Sequence, residues 1–149
     1  MATVSTYLNF TRNTEEAFNF YRSVFGGEFN GEISRFRDIP PSENMPPLPE
    51  EDKNLVMHVA LPIMNGHLLM GTDAPESMGF KVNPGNNVYI SIHPDTREET
   101  RRLFNALSDG GKIEQEGEGD TCPEAGPAPM ARECHLVASL RPGWGSPWR

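Results

Sequence analysis

The chain opens on an alternation of apolar and polar positions. In residues 3–10, one side is formed by Val4, Leu8 and Phe10. Tyr7 lies among polar neighbours on the other side. A period of two is typical of a strand with one buried face, so we predict a first strand here.

A helix is predicted next, beginning at Asn13 or Thr14. An Asn side chain can accept from the free amides of a first helical turn, and Glu16 is its capping partner. Gly26 and Gly27 end the helix, because glycine adopts left-handed backbone conformations without strain. Apolar residues three or four apart form its inner face: Ala17, Phe20, Tyr21, Val24 and Phe25.

Three more extended segments follow, at residues 28–37, 54–61 and 67–72. Residues 38–53 contain five prolines, which neither a helix nor a central strand tolerates, so this stretch is predicted to be a long loop. Asn65 and Gly66 predict a tight turn that joins the last two segments into a hairpin. Residues 74–86 are a polar connection.

The same pattern then starts again. Residues 87–92 alternate, and Thr96 with Glu99 forms a capping box for a helix that reaches about Leu107. A glycine pair at residues 110–111 ends it. Strand, capped helix and glycine pair therefore recur about 83 residues apart, which indicates two copies of one βαβ-type unit. The predicted fold class is α+β.

Each repeated strand has one polar and aromatic side. Its members are Ser5, Tyr7 and Asn9 in the first copy and Asn87, Tyr89 and Ser91 in the second. An ordinary solvent-facing sheet surface has this pattern. So does a cupped sheet that binds a small molecule on its concave side. In that second interpretation Tyr7 and Tyr89 stack on the ligand. Ser5, Asn9 and Asn87 then hydrogen-bond to it.

Several segments resemble PhnB-like proteins of the glyoxalase/bleomycin-resistance, or vicinal oxygen chelate, superfamily. They are residues 7–10, 13–17, 20–26, 56–61 and 69–73. The resemblance covers roughly residues 3–113. It implies two βαβββ modules that each curl a sheet into half of a cavity, and it implies a homodimer.

The resemblance also sets the expected organisation and function. Residues 1–149 form a single domain, with module one at about 3–73 and module two at about 87–149. The expected function is binding of a small molecule in the cavity. The alternative is a metal-dependent isomerase, lyase or dioxygenase of the same superfamily. The family is sometimes labelled a methyltransferase, but nothing in the sequence resembles a Rossmann-type methyl-donor site.

Metal-using members of the superfamily take their ligands from the first and last strands of each module. The matching positions here are Ser5, Leu69 and Asn87. None is a good ligand for Zn²⁺ or Fe²⁺, which prefer imidazole, carboxylate or thiolate groups. We therefore expect no metal and no cofactor, and no residue is assigned a catalytic role.

His58 lies within a predicted strand, between Val56 and Ala60 on one face. A lone histidine there can be a hydrogen-bonded structural residue. The alternative is that it polarises or deprotonates a bound ligand, because imidazole titrates near neutral pH. His58 is therefore placed among the candidate binding residues.

Composition narrows the classes of partner. A chain of 149 residues with 36% hydrophobic residues can bury one sizeable core. Its 13 basic and 21 acidic residues give a net charge of −8, which argues against nucleic acid and anionic membrane surfaces. No apolar run is long enough to span a bilayer, and no signal-peptide pattern is present. The expected location is the cytoplasm.

The tail after about residue 114 differs from the rest of the chain. Both cysteines and both tryptophans lie within residues 122–149, and only residues 134–140 alternate like a strand. Two thiols without an export signal do not predict a disulfide. Either a shifted reading frame or a divergent terminus accounts for the change.

Overall fold

The computed structural model describes residues 2–40, 48–83 and 90–109, together with the backbone of residues 136–138. The chain divides into two compact units, with the division after Pro84. Among the described residues the first unit contains one α-helix and four strands and the second contains one α-helix and two strands, so the mixed α+β class is confirmed.

The first unit is a four-stranded mixed sheet with one helix. Its elements in chain order are β1 (Thr6–Phe10), α1 (Thr14–Phe25), β2 (Ser34–Arg35), β3 (Val56–Ile63) and β4 (His67–Asp73). The strands are ordered β1-β4-β3-β2 across the sheet. β1 runs parallel to β4, whereas β3 is antiparallel to both of its neighbours. The first and last strands of the unit are therefore adjacent.

The predicted hairpin between β3 and β4 is confirmed. Ile63 pairs with His67, and the three residues between them turn the chain. Met64, Asn65 and Gly66 all have positive φ, at 26°, 51° and 82°. Asn and Gly adopt this left-handed conformation most readily, which is why the Asn-Gly pair located the turn in the sequence.

One face of this sheet, called here the helix face, packs against α1. Its residues alternate along three strands and are all buried: Leu8, Phe10, Val59, Leu61, Ile63, Leu69 and Gly71. From α1 they are covered by Ala17, Phe18, Tyr21 and Val24. A Cβ added at Gly71 would overlap the ring of Phe18, so glycine lets the helix approach β4 closely.

Three details of the predicted core are wrong. Val4 was placed on the buried side of the first strand, but the strand begins only at Thr6 and Val4 is 86% exposed. Phe18 was missing from the inner face of the helix and is fully buried. Phe20 and Phe25 were assigned to that face and are only half-buried, because the helix presents a face rotated toward Phe18.

The predicted strand at residues 28–37 is much shorter in the structure. Only Ser34–Arg35 pairs with β3, and the register is irregular between these two residues. Gly31 has a φ of 87°, which interrupts extended backbone before the pairing begins. A 3-10 turn at Phe36–Asp38 ends it.

The carboxylate of Asp73 joins the helix to the sheet. Asp73 is 3% exposed, and its Oδ1 accepts hydrogen bonds from the Thr14 amide at 3.0 Å and the Thr14 hydroxyl at 2.8 Å. Its Oδ2 accepts from the amide of Val56 at 2.8 Å. The sequence pointed to the side chain of Asn13 as the helix cap, but that side chain makes no capping bond. An acceptor 59 residues away along the chain serves the first turn instead.

The second unit repeats part of this arrangement. It contains β5 (Ile90–Ile92), α2 (Arg97–Ser108) and β6 (Leu136–Ala138), with β5 and β6 antiparallel. α1 and α2 are both 12 residues long and begin 83 residues apart, which matches the predicted repeat of strand and helix.

The helix start predicted for this unit is also present. The hydroxyl of Thr96 accepts from the amide of Glu99 at 3.2 Å, as a capping threonine does. The carboxylate of Glu99 accepts two bonds from Arg102, and this lowers the pKa of Glu99.

β6 lies within residues 134–140, the one part of the tail where alternation predicted a strand. The rest of the tail lies outside the described residues, including both cysteines and both tryptophans.

We expect Asp73→Ala to lower the free energy of unfolding by about 3 kcal/mol, since it leaves the buried amides of Thr14 and Val56 without an acceptor. Asp73→Asn keeps one acceptor oxygen and is expected to lose about half as much. Urea denaturation followed by circular dichroism measures both. The control is Glu32→Ala, which removes an exposed carboxylate and is expected to stay within about 0.5 kcal/mol of the parent protein. If the Asp73→Ala protein is as stable as this control, the Asp73 carboxylate does not hold α1 and β3 as described.

A second prediction concerns the hydroxyl of Tyr21. It is buried and has no hydrogen-bond partner in the described structure, and burial raises the pKa of Tyr21 above its ordinary range. Tyr21→Phe is therefore expected to be as stable as the parent protein near neutral pH, or more stable by up to about 1 kcal/mol.

The raised pKa of Tyr21 also predicts how the stability of the protein changes at alkaline pH. An unfolded tyrosine loses its proton near pH ~10, while folded Tyr21 keeps it. The folded state then holds more protons, so stability falls as the pH rises above ~10. Tyr21→Phe should flatten this alkaline loss in urea titrations. A destabilised Phe variant near neutral pH would show that the hydroxyl makes a bond.

Candidate functional site

The face of the sheet opposite the helix face, called here the site face, mixes apolar and polar side chains. By strand alternation and register its residues are Tyr7 and Asn9 of β1, Val56, His58, Ala60 and Pro62 of β3, and Leu68, Met70 and Thr72 of β4. Tyr7 is 46% exposed and Asn9 is exposed, Met70 and Thr72 are half-buried, and Val56 and Ala60 are buried. This face therefore keeps partly accessible side chains while the opposite face is closed.

Two rows of residues cross three strands of the site face. Tyr7 pairs with Met70, which pairs in turn with Ala60, and this row is aromatic and apolar. Asn9 pairs with Thr72, and continuing the register by one residue places His58 opposite Thr72. An apolar row beside a polar row is the arrangement of many small-molecule sites, where a few polar groups orient a ligand on an apolar floor.

The rings of Tyr7 and His58 approach each other on this face. Their centroids are 6.0 Å apart and their planes are tilted by 32°. Tyr7 comes from β1 and His58 from β3, so the contact spans β4. His58 is half-buried and lies opposite Ser34 of β2. Two of the residues expected from the sequence to bind a ligand are thus brought together.

The other expected binding residues are distributed as follows. Ser5 precedes β1 by one residue, is half-buried, and follows the alternation onto the site face. Asn9 is on the site face, as expected. Asn87 and Tyr89 lie outside the described residues, so their predicted contribution stays a prediction.

The position on β4 that matched a superfamily metal ligand is not on the site face. Leu69 is fully buried on the helix face, and the β4 residue opposite Tyr7 is Met70. Neither side chain is a ligand for Zn²⁺ or Fe²⁺ in the superfamily manner. Within the described ranges, no three residues among His, Cys, Asp and Glu are grouped so as to hold a metal ion. The helices in those ranges are too short or too polar to cross a membrane.

A cluster beyond the end of β1 was not found from the sequence. The carboxylate of Asp52 is 1% exposed and forms an ion pair with Arg12, with N and O 2.7 Å apart. The hydroxyl of Ser77 donates to its other oxygen, Oδ2. A buried carboxylate needs such partners, and these join three segments distant in sequence. No local spacing in the sequence indicates this cluster.

An arginine fork fixes the start of α1 to the short strand β2. Arg35 Nη2 donates to both carboxylate oxygens of Glu15 at 2.9 Å, and Nη1 donates to the carbonyl of Asn54 at 2.7 Å. Glu15 lies in the first turn of α1, and no local spacing in the sequence indicates its contact with Arg35. Both this fork and the Asp52 cluster hold the loops around the sheet.

Fold and site together define a small α+β protein whose mixed sheet is covered by a helix on one face and presents aromatic and polar side chains on the other. The chain belongs to the family described as 3-demethylubiquinone-9 3-methyltransferase, whose model matches residues 2–127. This is the PhnB-like family that the sequence resembles. The match continues past residue 114, so the family resemblance extends further into the tail than the sequence alone indicated.

Solved structures are also similar to this chain. The protein PA1353 from Pseudomonas aeruginosa is 28% identical, with a TM-score of 0.64 over 78% of this chain and 79% of that one. A putative 3-demethylubiquinone-9 3-methyltransferase, PhnB protein, from Bacillus cereus is 28% identical over 72% of this chain and 74% of that one, with a TM-score of 0.44. A comparison with curated proteins found no match.

Proposed function

We propose that this protein binds a small molecule on the site face of its sheet, without a metal site of the superfamily type. The observation that carries the proposal is the partly exposed ring of Tyr7 beside the ring of His58. Met70 and Ala60 continue the row of Tyr7 across the sheet and add apolar surface. Aromatic and apolar surface supplies most of the binding free energy in such sites. Ser5, Asn9 and His58 supply hydrogen-bonding groups that orient the ligand.

The wider setting of this site is part of the same proposal. We propose that the chain is a member of the vicinal oxygen chelate superfamily, and that it therefore has a second βαβββ module in which Asn87 and Tyr89 also bind the ligand. The repeat of strand and helix 83 residues apart supports this. A homodimer in the cytoplasm is proposed with it, on the same family resemblance.

Binding is proposed rather than catalysis because of the chemistry on the site face. The face supplies one imidazole and no carboxylate among its described residues, so His58 has no acidic partner there. A metal-dependent isomerase, lyase or dioxygenase would need ligands that these side chains do not provide. The family's description names a methyl transfer, and no residue on this face is assigned to that reaction.

A thermal-shift screen of apolar and aromatic metabolites tests the proposal. A compound that stabilises the parent protein is expected to bind Tyr7→Ala about tenfold more weakly, because a stacking contact is worth up to about 1.5 kcal/mol. Phe80→Ala is the matched control, since Phe80 is an aromatic of similar exposure, 51%, outside the sheet. Tyr89→Ala applies the same test to the second module.

Two results would contradict the proposal. A hit that binds Tyr7→Ala and the parent protein equally well would move the site away from this face. Elemental analysis that finds stoichiometric zinc, iron, manganese or nickel in the purified protein would contradict the metal-free assignment.

A further inference from the structure

The polar row of the site face continues onto a fourth strand. Asn9 of β1 pairs with Thr72 of β4, and His58 of β3 is opposite Thr72 when the register is continued by one residue. Ser34 of β2 pairs with His58 in turn. Side chains directly opposite one another on neighbouring strands have Cβ atoms about 5 Å apart, so His58 and Ser34 can contact the same small group of a ligand.

Most of the polar side chains in this row are not bonded to the protein. Thr72 is the exception, because its hydroxyl donates to two backbone carbonyls of the sheet, at 3.3 and 3.0 Å. Among the described residues, the side chains of Asn9, Ser34 and His58 take part in no hydrogen bond. Asn9 is exposed and the other two are half-buried, so their polar atoms are available to a ligand.

His58 is the one side chain of this row that can become a cation, because imidazole titrates near neutral pH. The side chains that face it from the neighbouring strands are Tyr7 of β1, Thr72 of β4 and Ser34 of β2. None of these three is charged near neutral pH. Within the described residues, no carboxylate on the site face neutralises the imidazolium.

The charged residues that flank Ser34 along the chain do not change this picture. Arg35 donates to both carboxylate oxygens of Glu15, each at 2.9 Å. Glu32 lies before β2 begins and is exposed. Although the chain has a net charge of −8, the described part of the site face has no acid to hold a cation. It has one group, His58, that can hold an anion.

We propose that the ligand of the site face is an aromatic compound carrying one carboxylate, and that His58 binds this carboxylate more tightly when its imidazole is protonated. This inference rests on the proposed function, because it names the class of ligand for the same face. The aromatic part lies on Tyr7 and Met70, and the carboxylate accepts hydrogen bonds from His58 and Ser34. One imidazolium balances one negative charge. A phosphate is usually held by arginine, lysine or a helix N-terminus, and the described residues of this face supply none of these.

Three probes with the same ring system test the inference: 2-naphthoate, 2-naphthamide and 2-naphthylmethylamine, which are anionic, neutral and cationic. Dissociation constants are measured on the full chain by NMR titration at about pH 5.5 and about pH 8, on either side of the range where imidazole titrates. A carboxylate is charged at both values.

Naphthoate is expected to bind about fivefold to tenfold more tightly at the lower pH. The reason is that a hydrogen bond from a cation to a carboxylate is stronger than one from a neutral donor. The affinity of naphthamide should change by less than about twofold, because it carries no charge. The amine should bind most weakly at both pH values, since the face offers it no acid.

Variants separate His58 from other groups that titrate in the same range. His58→Gln keeps a hydrogen-bonding side chain that is never charged, so naphthoate should bind about equally at both pH values. His67→Gln is the matched control, because His67 bonds to the hydroxyl of Thr6 at 2.9 Å on the helix face, and it should keep the pH dependence. Glu32→Gln should keep it too. Ser34→Ala should weaken naphthoate binding about threefold at both pH values, through the loss of one hydrogen bond.

The outcomes distinguish this inference from the function on which it rests. If naphthoate and naphthamide bind the site face with the same ratio of affinities at both pH values, the face binds ligands and the carboxylate assignment is wrong. A pH dependence that survives in His58→Gln also overturns it. If none of the three probes shifts the signals of β1, β3 or β4, the proposed function itself fails, and this inference fails with it.

Discussion

The buried carboxylate of Asp73 is the constraint on which the first unit depends. Its two oxygens accept from the beginning of α1 and from the beginning of β3, while its own backbone ends β4. Three elements are therefore held at one point without a polar group left unpaired. Because the helix start is fixed there, α1 lies along the helix face and leaves Tyr7 and His58 on the opposite one.

Because side chains alternate along each strand, the two faces of the sheet carry different sets of residues. His58 and His67 illustrate this, since neighbouring strands carry them to opposite sides. His67 lies on the helix face and bonds through Nε2 to the hydroxyl of Thr6 at 2.9 Å, so it is a structural residue. His58 contacts an aromatic ring on the site face instead. Substitutions on the site face can therefore change its chemistry without disturbing the core that is packed on the helix face.

Local signals in the sequence predicted what local forces determine. The Asn-Gly turn and the Thr96 cap involve residues at most a few positions apart, and both are present. The apolar spacing of α1 located the helix, although not every residue of its buried face. Contacts between distant residues had no such signal. The acceptor for the start of α1 lies on β4, and the approach of Tyr7 to His58 exists only because β4 inserts between β1 and β3. Strand register, and not spacing along the chain, creates the candidate site.

The parallel pairing of β1 with β4 has a kinetic consequence. Every pair in this ladder joins residues 63 positions apart, whereas the β3–β4 hairpin closes over a three-residue turn. Closing the larger loop costs more chain entropy, so we expect the hairpin to form early and β1 to be added late. The two rings of the site come from strands on either side of that final junction. The site face is therefore completed in the last step of folding, and in a nascent or partly unfolded chain Tyr7 and His58 are not yet brought together.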